Sequence, residues 1–229
     1  MYKYIFFDLD ETLLDFKLAE ATAIAEVLKI FKIEPKREII ELYSKINLSC
    51  WKQYERGEIS RDEIYSKRVI LLSEKLETDI DINKFSDEYF LRLSKQGQTL
   101  PYAIDLLKIL SKKGYKLAAA TNGAEKIQIS RIENSKIADF FDCGIFISER
   151  IGFKKPDPEF FYYMLDALKI QNKSEVLVIG DSLSSDIKGA ASAGLDSCFV
   201  NLKNEELYEQ YEPTYIANSL EQIISVCGL

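Results

Sequence analysis

The chain has 229 residues, 47% of them hydrophobic and 29% charged, and it carries a formal net charge of -7 at pH 7. This composition predicts a globular protein, and its acidic balance makes long nucleic acid and anionic membrane surfaces unexpected partners. The sequence contains no histidine, which excludes Ser–His–Asp and Cys–His catalysis and zinc sites with histidine ligands.

Cysteine usage and hydropathy favour a cytoplasmic protein. Cys50, Cys143, Cys198 and Cys227 are scattered without a CxxC spacing, as expected of reduced, mostly buried thiols. No apolar stretch approaches the roughly 18 residues that a membrane span requires. The first residues lead directly into an acidic strand end, so we expect no signal peptide.

The first predicted element is a buried strand at residues 4–7, which is apolar and aromatic on both faces. Asp8 and Asp10 follow it, and because side chains alternate along an extended chain, these two point roughly the same way. Two carboxylates ~5 Å apart repel each other by roughly 3 kcal/mol at an effective dielectric of ~20. We therefore expect a cation, a shared proton or solvent to offset this repulsion.

Residues 17–97 contain no good strand. Apolar residues recur at helical spacing over residues 17–31, 36–54, 60–76 and 82–93. Ser60 and Glu63 form the capping-box pattern with which a helix begins. These features predict a small all-α unit.

From Pro101 onwards, helices and strands alternate along the sequence. We predict helices at 102–113, 125–135, 157–168, 184–193 and 220–226, and strands at 116–120, 144–147, 176–179, 197–200 and 214–217. This alternation predicts a parallel, doubly wound sheet with right-handed crossovers. The fold class is therefore α/β, with a core domain of residues 1–16 and 98–229 and an inserted all-α domain of residues 17–97.

Polar side chains follow four of these strands, at the edge where an open parallel sheet binds its ligands. They are Asp8, Asp10 and Thr12, then Thr121 and Asn122, then Lys154 and Lys155, and finally Asp181, Ser182 and Asp186. Any one of them could be a helix cap. Together they suit phosphoryl transfer, with a carboxylate nucleophile, a carboxylate acid/base and donors for the phosphate oxygens. Ligands that offer only oxygen favour Mg²⁺.

Competing motifs do not fit the sequence. A calcium loop beginning at Asp8 would need glycine at its sixth position and glutamate at its twelfth, where the chain has Leu13 and Ala19. No GxxxxGK[ST] or GxGxxG phosphate-binding loop is present. A receiver domain would place its acidic pair and its phosphorylated aspartate on different strands, and it has no use for a long helical insertion.

Four segments together resemble the four motifs of the haloacid-dehalogenase (HAD) superfamily of phosphatases, in order: FFDLDETLLD, the TNG turn, SERIGFKKPDP and GDSLSSDIKGA. The helical insertion resembles the C1 cap of that superfamily. INLSCWKQYERGEISRDEIYSKR in the insertion, the TNG turn and GDSLSSDIKGAASAGLDSCFVN are similar to the pyrimidine 5′-nucleotidase branch. The resemblance implies a HAD-like Rossmannoid core with an inserted cap, and hydrolysis of nucleoside monophosphates, noncanonical pyrimidines included.

The resemblance also implies roles for individual residues. Asp8 corresponds to the nucleophile and Asp10 to the general acid/base. Phosphate is held by Thr121, the Asn122 backbone amide and Lys155, which fits the motif better than Lys154 does. The Mg²⁺ ligands are Asp8, the Asp10 backbone carbonyl and Asp181, with Asp186 supporting the ion directly or through water.

Asp10 bears on the type of reaction. Dehalogenases resemble this chain but lack the second acid, because a departing halide needs no proton. The presence of Asp10 therefore favours a phosphatase or phosphomutase.

Substrate choice is expected to lie in the cap. Asn47 and Trp51 are four residues apart and share a helix face, so Trp51 could stack on a base and Asn47 could bond a pyrimidine edge. Arg68 could also reach a ligand. Alternatively, Trp51 could fill the core of the cap and Arg68 could form an ion pair with a glutamate of the cap. The chain near Phe16 and Gly97 is expected to hinge as the cap opens.

Three hypotheses about function remain open from the sequence. The first is a Mg²⁺-dependent pyrimidine 5′-nucleotidase. The second is a sugar-phosphate phosphatase or phosphomutase on the same scaffold, and the third is a non-enzymatic phospho-receiver or binding module. The expected partner is a small phosphate monoester, and the chain is expected to be a monomer or homodimer.

Overall fold

The computed structural model describes residues 2–204 and 212–228, which form two compact units. The first unit comprises Met1–Asp15 and Thr99–Leu229, and the second comprises Phe16–Gln98. In the described residues, no helix combines the length and the apolar character that crossing a membrane requires.

The first unit is built on a six-stranded sheet in the order β3-β2-β1-β4-β5-β6, and every neighbouring pair is parallel. This confirms the predicted parallel sheet. The strands are β1 (Tyr4–Phe7), β2 (Lys116–Thr121), β3 (Ile145–Ile147), β4 (Val176–Gly180), β5 (Asp196–Val200) and β6 (Tyr215–Ala217). β1 lies in the middle, between β2 and β4, so the carboxyl ends of these three strands are adjacent.

Alternate residues of β1, β2 and β4 enter two separate hydrophobic cores, one on each face of the sheet. In β1, Ile5 and Phe7 pack into one core and Phe6 packs into the other, and all three are fully buried. Burial on both faces explains why the strand is apolar at every position rather than alternating. Truncation of a buried phenylalanine to alanine in such a core lowers the free energy of unfolding by about 3–5 kcal/mol. Packing on both faces therefore anchors β1 firmly, and with it the two aspartates that follow its carboxyl end.

Six α-helices surround this sheet in the described residues. They are α5 (Ala103–Lys112), α6 (Glu125–Asn134), α7 (Ser148–Ile151), α8 (Pro158–Ala167), α9 (Lys188–Ala193) and α10 (Gln222–Val226), and short 3-10 turns lie at Ala138–Phe140 and Lys173–Glu175.

One predicted helix, residues 184–193, begins differently from the prediction. Leu183–Ile187 is a π-helical turn, and regular α-helix starts only at Lys188. The carbonyl of Ser182 accepts from the amides of both Asp186 and Ile187, which widens the turn by one residue. The side chain of Ser182 also accepts from the Ser185 amide at 3.2 Å, so local side-chain bonding replaces the regular helical pattern.

The second unit consists of four helices: α1 (Phe16–Ile30), α2 (Arg37–Glu55), α3 (Arg61–Leu76) and α4 (Ile82–Leu93). The expected capping box begins α3, since the Ser60 side chain accepts from the Glu63 amide and the Glu63 carboxylate accepts from the Ser60 amide. Asp81 caps α4 by accepting from Lys84. The core of this unit is aromatic, with Tyr43 lying against Phe85 and Tyr89.

Candidate active site

The side chain of Lys155 is the centre of the polar residues at the sheet edge. It is 2% exposed, and its Nζ donates to Asp8 Oδ1 at 2.7 Å, to Asp186 Oδ1 at 2.6 Å and to the Ala120 carbonyl at 2.7 Å. Its three N–H donors are therefore all used. Lys155 ties together the loop after β3 and the ends of β1, β2 and β4.

The Lys155 backbone is held in place by Asn122, which follows β2. The Asn122 side chain donates to the Lys155 carbonyl at 2.7 Å and accepts from the Lys155 amide at 3.0 Å. This pair of hydrogen bonds replaces the backbone pairing that a strand neighbour would supply. Asn122 thus fixes the loop that carries the lysine, a task beyond the backbone-amide role expected from the sequence.

Three carboxylates meet beside this lysine. Asp8, Asp181 and Asp186 each offer an oxygen, and these oxygens all lie within 4.8 Å of one another. Asp8 continues the β1–β4 ladder by donating its amide to the Ile179 carbonyl at 2.8 Å. The carboxyl ends of adjacent parallel strands thus bring together residues that are 173 positions apart in the chain, from Asp8 to Asp181.

Asp186 reaches the cluster because Gly180 has no side chain. A Cβ at position 180 would clash with the Asp186 carboxyl group. The π turn directs this side chain back towards the strand end, where its Oδ2 accepts from the Ser182 amide at 3.1 Å. The Gly180-Asp181-Ser182 corner is therefore shaped around the Asp186 carboxylate.

Burial without enough positive charge changes the acidity of the cluster. Desolvation raises the pKa of Asp8 to about 7, against the opposing charge of Lys155 and with further increases from Asp186 and Asp10. Desolvation, followed by the charges of Asp8 and Asp186, also raises the pKa of Asp181 well above its ordinary range. Burial alone would lower the pKa of Lys155, but the charges of Asp186 and Asp8 outweigh it, so its pKa is raised.

The donor set fits a divalent cation of the Mg²⁺ type. Three carboxylates and one ammonium group leave two formal negative charges in a largely buried cluster. The three carboxylates offer oxygen ligands, which suit a hard cation. Asp8, Asp181 and Asp186 would hold it, and it would offset the electrostatic cost that raises the pKa values of Asp8 and Asp181.

Asp10 occupies a different environment from Asp8. After β1 the chain turns sharply: the Leu9 carbonyl accepts from the amides of Leu13 and Leu14, and Glu11 adopts a left-handed φ of 60°. The Asp10 carboxylate accepts from Gln128 Nε2 at 2.9 Å and pairs with Arg131 Nη1, both on α6. The two aspartates expected to repel each other are thus each offset by a cation of their own.

Gln128 and Arg131 were missed by the sequence analysis. They are three residues apart, both 1% exposed, and lie on the inward face of α6 among apolar residues. The sequence did contain a signal for them. The helix follows the Thr-Asn-Gly turn at a strand end, and these two polar residues occupy its inward positions.

Thr121, at the end of β2, also contacts Gln128. The Thr121 Oγ1 accepts from the Gly123 amide at 3.0 Å and from Gln128 Nε2 at 2.8 Å. The structure thus brings together the seven site residues predicted for the first unit. Asp8 and Asp10 follow β1, Thr121 and Asn122 lie at the end of β2, Asp181 and Asp186 follow β4, and Lys155 lies in the loop after β3.

The three predicted cap residues belong to the second unit. Asn47 and Arg68 are both 2% exposed and join Glu20 in a buried chain: Arg68 Nη1 donates to Asn47 Oδ1 at 3.1 Å, and Asn47 Nδ2 donates to Glu20 Oε1 at 2.7 Å. The Arg68 guanidinium lies over the rings of Tyr89 and Phe90 at 4.5 Å and 5.2 Å. Trp51 is half-buried and meets the Tyr54 ring edge-on.

Comparison with known proteins places this geometry in context. Residues 2–194 match the family model described as haloacid dehalogenase-like hydrolase. The chain is 35% identical to pyrimidine 5′-nucleotidase PynA of Streptococcus pneumoniae, over 97% of this chain and 94% of that protein. It is 29% identical to pyrimidine 5′-nucleotidase YjjG of Escherichia coli, over 97% of this chain and 96% of that protein.

A solved structure has the same fold throughout. The HAD-hydrolase YfnB of Bacillus subtilis, bound to magnesium, superimposes with a TM-score of 0.94 at 32% identity, covering 100% of this chain and 99% of that one.

The pKa shifts predict how magnesium and pH together affect stability. Because the pKa of Asp8 is about 7 in the folded protein and near 4 when unfolded, the metal-free fold binds more protons than the unfolded chain between these values. Its free energy of unfolding should therefore fall as pH rises through this window. Mg²⁺ needs ionised ligands, so it should stabilise the protein more at pH 8 than at pH 5.5.

Thermal melts with EDTA and with Mg²⁺ measure this effect. At 100 times its Kd the ion adds about 2.7 kcal/mol, which corresponds to roughly 5–10 °C in Tm for a chain of this size. Asp181→Asn should reduce the increase, whereas Asp139→Asn, which alters an exposed carboxylate of the same unit, should not. An increase that is equal at both pH values contradicts the assignment of these carboxylates to the cation.

Proposed function

We propose that this chain, which belongs to the haloacid dehalogenase-like hydrolase family, hydrolyses phosphate monoesters through an aspartyl phosphate on Asp8, with pyrimidine nucleoside 5′-monophosphates as its substrates. The observation that carries the proposal is the pair Asp8 and Asp10, held by separate partners at one sheet edge. One carboxylate is available for attack, and the other is available for proton transfer.

The first step transfers the phosphoryl group to the protein. A carboxylate oxygen of Asp8 forms a bond to phosphorus while the bond from phosphorus to the ester oxygen breaks, and Asp10 gives its proton to the departing oxygen. In the second step Asp10 takes a proton from water, whose oxygen attacks the phosphorus and releases Asp8 and inorganic phosphate. Bound Mg²⁺ would offset the repulsion between Asp8 and the dianionic ester.

Three further groups stabilise the transferring phosphoryl group. Lys155 supplies a positive charge next to Asp8, the Thr121 hydroxyl supplies a donor, and the backbone amide at Asn122 supplies another. The burial of Lys155 strengthens its effect, since charges interact more strongly where water is excluded. Because Asn122 fixes the Lys155 backbone, little reorganisation of the lysine is needed during the reaction.

The names of PynA and YjjG support the choice of substrate within this chemistry. In the cap, Arg68 Nε and Nη2 have no hydrogen-bond partner among the described residues. A buried guanidinium with unused N–H groups favours a ligand that offers carbonyl oxygens, and a pyrimidine ring carries such oxygens. We therefore assign base recognition to Arg68 and to Asn47, which accepts its hydrogen bond, and keep the half-buried Trp51 as the candidate for stacking on the base.

Substitution of Asp8 tests the covalent step. Asp8→Asn and Asp8→Ala should lower kcat by on the order of 10⁴-fold or more, as loss of a nucleophile does in other hydrolases. EDTA should abolish phosphate release by the unmodified chain. Phosphate release is measured by colorimetric assay, with circular dichroism to check folding and Asp139→Asn as the exposed control. An Asp8→Asn protein that turns over at the rate of the unmodified chain contradicts the mechanism.

A panel of monophosphates tests the substrate and the cap together. The ratio of kcat/KM for dUMP to that for 2-deoxyribose 5-phosphate, which lacks the base, should fall about ten-fold or more in Arg68→Met, since hydrogen bonds to a charged group contribute about 1.5–3 kcal/mol. Arg61→Met is the matched control, because Arg61 also lies over a tyrosine ring of the cap.

The panel also separates the competing functions. A preference for hexose phosphates over dUMP and dTMP supports a sugar-phosphate phosphatase. Interconversion of two sugar-phosphate isomers with little free phosphate supports a mutase. An equal loss of rate on dUMP and on the base-free ester in Arg68→Met contradicts the assignment of base recognition to Arg68.

A further inference from the structure

We propose that Gln128 and Arg131 of α6 are positioning residues for proton transfer: they fix the Asp10 carboxyl group and the Thr121 hydroxyl in the orientations that the reaction uses. The inference rests on the proposed function in one respect, since it takes Asp10 as the group that protonates the leaving oxygen.

Both oxygens of the Asp10 carboxyl group are held from the same helix. Arg131 Nη1 bonds Asp10 Oδ1, and Gln128 Nε2 donates to Asp10 Oδ2 at 2.9 Å. Two contacts to two different oxygens fix the rotation of the carboxyl group as well as its position. Each oxygen keeps a second lone pair, so the carboxyl group can still carry the proton that it transfers.

Gln128 is itself oriented by Arg131. Its Oε1 accepts from Arg131 Nη1 at 3.2 Å, which requires the Nε2 side of the amide to face Asp10 and Thr121. Because Nε2 carries two protons, one amide group can serve Asp10 and Thr121 at the same time. The acid and the phosphate-binding hydroxyl are therefore joined through a single side chain.

The direction of the Thr121 hydroxyl proton follows from this arrangement. Thr121 Oγ1 accepts from the Gly123 amide and from Gln128 Nε2, which occupies both of its lone pairs. The O–H proton is then left as a donor. Gln128 thereby converts a hydroxyl that could act as donor or acceptor into one that donates to a phosphate oxygen.

The packing around Gln128 is specific to this arrangement. A Cβ at position 123 would come within 2.5 Å of Gln128 Cγ. Glycine after Asn122 is therefore needed for Gln128 to reach its partners.

The burial of Arg131 differs from that of its partner. Arg131 is 1% exposed while the Asp10 side chain is 29% exposed. A fully buried cation is costly to place, and here its charge is directed at the carboxylate that lies nearer to solvent.

The test compares two esters that differ in how much they need an acid. In p-nitrophenyl phosphate the leaving oxygen departs as a stable anion, whereas in phenyl phosphate its departure benefits from the proton of Asp10. The ratio of kcat/KM for these two esters reports on protonation in the first step. A general loss of folding or binding lowers both values together and leaves the ratio unchanged.

We expect Arg131→Met and Gln128→Leu to raise the ratio of p-nitrophenyl to phenyl phosphate about ten-fold or more, towards the value of Asp10→Asn, because general acid catalysis contributes about 10²–10⁴-fold. Arg131→Lys should restore part of it. Lys126→Met removes an exposed cation from the same helix and should leave the ratio unchanged. Gly123→Ala displaces Gln128 without removing a charge and should also raise the ratio, even if Arg131→Met does not fold.

Two results would overturn the inference in distinguishable ways. If Asp10→Asn raises the ratio but Gln128→Leu and Gly123→Ala lower both kcat/KM values equally, α6 has only a structural role and the proposed function stands. If Asp10→Asn itself leaves the ratio unchanged, Asp10 is not the acid, and the proposed mechanism fails together with the inference.

Discussion

The contact that the site depends on is the buried ammonium group of Lys155 between Asp8 and Asp186. It joins the loop after β3 to the residues at the ends of β1, β2 and β4, and it is also where the charge does not balance. A single positive charge cannot neutralise three neighbouring carboxylates, so Asp8 and Asp181 hold protons more tightly than usual. A divalent cation held by these carboxylates would offset the imbalance.

The two aspartates after β1 owe their different roles to their surroundings. Asp8 lies in the strand ladder, is buried, and faces Lys155 and the other carboxylates. Asp10 lies two residues beyond, in a turn that directs it to α6 and leaves it more open to solvent. Two identical side chains separated by one residue thus have different surroundings, because the backbone turns between them and different partners hold each; the nucleophile and acid/base roles that we propose for them follow from this difference.

The parallel sheet and the residues at its strand ends could be predicted from the sequence, because the order of helices and strands follows from the spacing of apolar residues. Strand ends in a parallel sheet must meet at one edge, so Asp8, Thr121 and Asp181 could be placed together without coordinates. Gln128 and Arg131 are harder to place in this way: a polar residue inside a helix is usually solvent-exposed, and only their spacing beside Ile127 and Ile132 indicated an inward face. The π turn before α9 was not predicted either, because it depends on side-chain hydrogen bonding at Ser182 and on the space that Gly180 leaves for Asp186. In the second unit, hydrogen bonds link Glu20, Asn47 and Arg68, which lie on three different helices. No local sequence pattern predicts how these helices align with one another.

The connection between the two units has a simple geometry. The chain leaves the first unit after Asp15 and returns at Thr99, and there Leu14 forms an antiparallel bridge with Thr99 while the Leu100 amide donates to the Leu13 carbonyl at 2.9 Å. Exit and re-entry thus lie side by side, like the base of a hairpin. Helices of another length or sequence could be grafted between these two points without disturbing the sheet. An insertion at this point can therefore vary during evolution while the strand ends that carry the polar residues are inherited unchanged.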